Sequence, residues 1–144
     1  MFADLALGSA VLAITVVIHT FGLIALTAVM RTIVDWFRLH RHRFGQTVAM
    51  LVTVLGLFGL HGLEIWAWAG AYLLTGAVAD LETALYFSTA TFSTLGYGDI
   101  TLDHEWRLFG SLEGINGFLL IGWSTAYLVA AATRLGPFRI GEHF

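Results

Sequence analysis

Cysteine is absent from all 144 residues, and only 12% of them are charged. The first absence excludes a disulfide framework and any thiolate metal site. The second excludes an ordinary soluble domain, in which about 25% of residues carry charge. No arginine recurs at every third position of the first apolar stretch, so a voltage sensor of the usual form is excluded. No repeated His-x-x-x-His pattern and no nucleophile–base–orienter set is present, so the pattern of an enzyme is incomplete. What the chain has instead is apolar surface: 58% of its residues are hydrophobic and its mean hydropathy is +0.80.

Three apolar stretches exceed the roughly 20 residues needed to cross a hydrocarbon core. The first runs from Leu5 to Met30. Its start, Met1-Phe2-Ala3-Asp4, lacks the basic charge of a secretory signal, so a retained helix is expected in preference to a cleaved signal. His19 within it reads as a packed polar residue of the bundle, not a ligand. This helix is expected to continue toward Trp36 and Phe37, with a break at Gly45. The second stretch runs from Val48 to Leu74. Trp66, Trp68 and Tyr72 suit a membrane boundary, so this helix is expected to leave the hydrocarbon soon after Glu64.

A segment from about Leu81 to Ser93 is too short to span. Asp80 suits its N-cap and Glu82 the positive end of its dipole. The last stretch is expected from about His104 to Ala132, capped by Asp103. The fold class is therefore an all-α membrane protein with three transmembrane helices and one half-length helix. Arg31, Arg38, Arg41 and Arg43 and the tail with Arg134 and Arg139 share one side of such a topology, which the positive-inside rule makes cytoplasmic. The N-terminus and the acidic segment 76–104 then face outward. The paired His40 and His42 could respond to pH or be merely solvated.

Between the short segment and the last stretch lies Thr94-Leu95-Gly96-Tyr97-Gly98-Asp99. Two glycines around an aromatic let a backbone turn several carbonyls in one direction, which regular structure does not allow. The run resembles the Thr-Val-Gly-Tyr-Gly-Asp filter of potassium channels of the two-helix-plus-pore-loop kind, with Leu95 in place of valine. One extra helix precedes the resemblance, which covers about residues 48 to 132. Three parts follow: residues 1–44 as the extra helix and basic cytoplasmic loop, 45–133 as the pore-like domain, and 134–144 as a short cytoplasmic tail, too short for a nucleotide or calcium sensor.

The resemblance implies a homotetrameric pore with a re-entrant pore helix, in which each chain meets three identical subunits within the lipid bilayer of the cell membrane. Carbonyls of Thr94, Leu95, Gly96 and Tyr97 would bind dehydrated K+, with the Thr94 hydroxyl innermost and Gly98 completing the turn. Potassium, with other monovalent cations as the alternative, is the bound species implied; no other cofactor and no nucleic acid is expected. Tyr86 and Phe87 would brace Tyr97. Ala90 stands where some members carry a carboxylate that holds the filter aspartate, so Asp99 needs another donor: a backbone N–H, Trp106 or water.

Glu64 and Glu113 are costly in apolar helices. They are expected to share a proton, to pair with His61 or Arg107, or to remain separate. Gly110, Gly114, Gly117 and Gly122 allow close helix approach, and Gly117 reads as a packing glycine or as a hinge. Asn116, Ser124 and Thr125 are candidate cavity residues. The expected function is potassium-selective conduction. The alternatives are a weakly selective monovalent cation channel, a non-conducting scaffold, and a metalloenzyme using His61, Glu64 and Glu113.

Overall fold

A computed structural model describes residues 2–36 and 43–135. The basic segment 37–42, with Arg38, His40, Arg41 and His42, and the tail 136–144, with Arg139, lie outside the described residues. Four helices follow one another: α1 (Phe2–Trp36), α2 (Arg43–Thr75), α3 (Leu81–Phe92) and α4 (Arg107–Leu135). The segments Asp4–Val34, Phe44–Thr75 and Arg107–Arg134 are each long and apolar enough to cross a membrane. This is an all-α membrane protein with three such helices and a shorter fourth.

Local chemistry fixes the ends. Gly76 takes a positive φ of 73° after α2, a conformation that carries no Cβ penalty in glycine. The Ala77 amide then donates to the Tyr72 carbonyl at 3.0 Å, satisfying one of the orphan carbonyls of the last turn. Asp80 caps α3: its carboxylate accepts from the Thr83 amide at 2.9 Å and from the Thr83 hydroxyl at 2.7 Å. These two donors, the amide first, hold the Asp80 carboxyl below its usual range.

Two helix starts differ from expectation. Gly45 lies inside the first turn of α2, which begins at Arg43, so it breaks nothing. Helix α4 starts at Arg107, later than His104, because residues 104–106 form a turn in which the Asp103 carbonyl accepts from the Trp106 amide at 2.9 Å.

Helices α1 and α3 both pack against α2 and α4. The main core joins Val11, Trp68, Tyr72, Ala84, Phe92 and Phe109. Tyr72 sits edge-on to both Phe87 and Phe109, at 5.2 and 5.3 Å between ring centroids. Trp68 and Tyr72 are thus core residues, fully buried, and only Trp66 of the expected boundary trio is exposed. The reason is helical spacing: Glu64, Trp68 and Tyr72 are four residues apart and share the bundle-facing side of α2, whereas Trp66 points elsewhere. Between α1 and α2, Leu60 fills the notch at Gly22 and Leu26 the notch at Gly56.

Candidate functional site

The loop after α3 begins with three amides folded back onto the helix end. Thr94 N–H donates to the Thr91 carbonyl at 3.0 Å, and Leu95 and Gly96 both donate to the Ala90 carbonyl, at 2.9 and 3.0 Å. The Ala90 side chain can brace nothing, yet its carbonyl anchors two loop residues. From Thr94 onward the backbone takes positive φ at every second residue: Thr94 at 59°, Gly96 at 53° and Gly98 at 76°. For a β-branched residue such as Thr94 this conformation is a genuine outlier, of the kind that concentrates at functional sites. Residues 93–99 are exposed within the single chain, leaving their polar backbone open on one side.

Asp99 finds a donor that the sequence reading did not consider. The Tyr86 hydroxyl donates to Asp99 Oδ2 at 2.6 Å. This bond holds the Asp99 carboxyl below its usual range and raises the Tyr86 phenol. Trp106, expected as a candidate donor, instead packs edge-on against Phe109 at 6.1 Å. Phe87 packs on Tyr72, and Tyr86 and Phe87 line a cavity of about 120 Å³ with Gly96, Tyr97 and Asp99.

Behind the loop, Gly117 is buried and α4 meets the Phe92 carbonyl there, at the carboxyl end of α3. Gly117 therefore lets α4 approach the backbone at the end of α3. Below the loop, Phe118, Leu119 and Gly122 of α4 line a cavity of about 480 Å³ with Ser93 and Thr94. Asn116 is not on that side. It is buried and donates through Nδ2 to the Thr15 hydroxyl of α1 at 2.6 Å. Ser124 is buried with its hydroxyl unpartnered, and Thr125 donates to the Ile121 carbonyl in its own helix.

The two buried glutamates do not share a proton with each other. Glu113 of α4 accepts from the Tyr72 hydroxyl of α2 at 2.5 Å and lies 2.5 Å from the Ser88 hydroxyl of α3. Ser88 also reaches the Ile65 carbonyl at 3.0 Å. Glu113 therefore ties three helices together. Glu64 lies in a second network, with His19 Nδ1 on one carboxylate oxygen and His61 Nδ1 on the other, both at 2.8 Å. Arg107 is exposed and takes part in neither network.

His61 was expected to pair with a glutamate, but the participation of His19 was missed. The signal was available in the spacing: Val11, Thr15, His19 and Leu23 are four residues apart, all buried, and form one stripe of α1 facing the bundle. Around this carboxylate all four helices converge, since Trp123 of α4 lies 5.2 Å from the His19 ring and Phe92 of α3 lies 5.8 Å from the His61 ring. Donor atoms of His19, His61 and Glu64 lie within 4.8 Å of one another, a set able to hold a cation.

Three long apolar helices, with a short helix and an irregular loop lodged between the second and third, define a multi-pass membrane protein. A family model described as Ion channel matches residues 58–134, more than half of the chain, and the chain belongs to that family. It is an ion-channel-family protein and not an enzyme. No curated protein and no solved structure matches.

Proposed function

We propose that this protein is a potassium-selective channel whose filter is the backbone of Thr94, Leu95, Gly96, Tyr97 and Gly98. The observation that carries the reading is the alternation of positive φ at Thr94, Gly96 and Gly98. In an extended strand successive carbonyls point to opposite sides. Reversing handedness at alternate residues removes that flip and turns successive carbonyls the same way, as rings that replace the hydration shell of K+ require. In this reading α3 is the pore helix, and its carboxyl end at Phe92 and Ser93 directs negative dipole toward a cation below the filter.

One chain supplies one side of each ring, so the channel is a homotetramer. Exposed irregular backbone at 93–99 fits that assembly, because such backbone is tolerated within a bilayer only against protein or a water-filled path. Residues 45–133 form the pore unit, with α4 lining the inner path through Phe118, Leu119 and Gly122, and α1 lies at the periphery. The positive-inside rule places 31–43 and 134–144 in the cytoplasm and the N-terminus and filter loop outside.

The test is the reversal potential of purified protein in planar bilayers with K+ on one side and Na+ on the other. A reversal potential strongly favouring K+ is expected. Equal permeabilities would leave a weakly selective cation channel, and absence of flux from an assembled tetramer would leave a scaffold.

A further inference from the structure

We propose that His19, His61 and Glu64 form a binding site for one divalent cation of the zinc class, which clamps α1 to α2. The site lies apart from the filter loop, and its assignment does not depend on potassium conduction.

The sequence positions make the site from two helices. His61 and Glu64 are three residues apart on α2 and so share one face, while His19 approaches from the buried stripe of α1. Both Nδ1 atoms face the carboxylate at 2.8 Å, and one donor atom from each residue falls within 4.8 Å of the others. Small side-chain rotations bring such a set onto a single cation at bond lengths of about 2.0–2.2 Å. Two imidazoles and one carboxylate are a zinc-type donor set, whereas calcium and magnesium favour oxygen alone.

The buried carboxylate calls for a cationic partner. Glu64 and His19 are fully buried in helices apolar enough to span a bilayer. Two neutral imidazoles around an ionised carboxylate leave one uncompensated negative charge in that interior, which is costly. A proton on either ring would also offset it, and His19 Nε2 is buried without a partner in each case. A divalent cation pairs directly with the carboxylate while both rings stay neutral, the form in which histidine binds metal, and takes the cluster from a net charge of −1 to +1. The rings of Trp123 and Phe92 wall the cluster. His61, the less buried imidazole, also lines an apolar cavity of about 480 Å³, which gives a route of entry.

Full-length protein, stripped with a chelator and freed of it, is titrated with Co2+ alone. The expected result is one Co2+ per chain, with visible ligand-field absorption of a tetrahedral nitrogen–oxygen site, displaced by Zn2+ and accompanied by a higher unfolding temperature. His61→Asn and Glu64→Gln should weaken binding by at least about tenfold, while Glu113→Gln, in the other network, should leave it unchanged. A wild-type protein giving no saturable ligand-field band overturns the proposal and leaves a shared proton on His61 as the occupant. Retention of the band in a folded His61→Asn variant overturns it equally. The wild-type titration stands whether or not any variant folds.

Discussion

The carbonyl of Phe92, the last residue of α3, is packed so tightly against α4 at Gly117 that a Cβ there would overlap its oxygen and its carbon. Backbone cannot rotate away as a side chain can. Gly117→Ala should therefore destabilise the protein by the cost of overpacking, about 1–3 kcal/mol. Gly122→Ala meets open space and should be neutral or slightly stabilising, since alanine gains about 0.5–1 kcal/mol over glycine within a helix. Thermal unfolding in detergent compares the two. Equal stabilities would remove the close contact and return Gly117 to the role of a hinge.

At the far end of the loop from α3 the Tyr86–Asp99 bond makes a prediction in pH. The carboxyl of Asp99 is held below the ordinary aspartate value of about 3.9, so its stabilisation is complete above that value and is lost as pH falls through the lowered folded value. Tyr86 is raised, so its contribution is complete below the ordinary tyrosine value of about 10 and is lost as pH rises through the raised one. Between these limits the bond should be insensitive to pH. Tyr86→Phe should move the Asp99 titration upward, toward the ordinary value, as read from its carboxyl carbon by NMR. An unmoved titration would show that the phenol is not the donor.

The helices and the glycine-bearing loop were legible because periodicity, capping and glycine placement are local properties. Asp80 and Gly76 mark the ends of their elements through contacts within five residues, and the Thr94–Asp99 run declares its own backbone needs. The buried networks were only partly legible, because a costly residue announces that it has a partner without saying which. Glu113 joined Tyr72 and Ser88, residues 41 and 25 positions away, and only packing decides such pairings. Tyr72 looked like an interfacial aromatic by type, while its spacing from Glu64 and Trp68 placed it inside. Thr94 gave no sign of its positive φ, since threonine ordinarily avoids that region.

Hydrogen-bond accounting around Glu113 gives a second variant series. Ser88 has one hydroxyl hydrogen and two acceptors in reach, Ile65 and Glu113. The bonds close when Glu113 carries a proton and donates to Ser88, freeing Ser88 to donate to Ile65 while Tyr72 donates to Glu113. Glu113→Gln can reproduce that pattern and should be nearly neutral. Glu113→Ala leaves Tyr72 and Ser88 short of a partner and should cost at least about 1–3 kcal/mol. Denaturant titrations of the two variants decide the matter: a glutamine variant as damaged as the alanine variant would mean that an ionised carboxylate is needed.

Gly96 makes a prediction about conduction without a steric argument from neighbours. A Cβ there meets nothing within the chain, so the burden of Gly96→Ala is its φ of 53°, about 1–2 kcal/mol for an L-residue. That is small for a folded protein and large for a short loop that must hold one geometry. Gly96→Ala should assemble and melt nearly as the wild type does but lose potassium current or its preference over sodium. Unchanged conductance and reversal potential would dissociate this loop from the ion path.

Helix α1 is joined to the rest by polar bonds that are independent of any filter, and this separates its role from ion preference. Asn116 donates to Thr15 at 2.6 Å in a buried setting. Thr15 also donates within its own helix, to the Leu12 carbonyl at 2.9 Å. Thr15→Val keeps the shape of the side chain and removes the acceptor, so a buried amide N–H of Asn116 is left unpaired at a cost of about 1–3 kcal/mol. Thr15→Val together with Asn116→Leu removes both partners and should recover part of that loss. In both variants the K+ over Na+ reversal potential should remain that of the wild type, because neither residue borders the loop at 94–99. A shift in ion preference with unchanged stability would place α1 in the conduction path and reject its peripheral role.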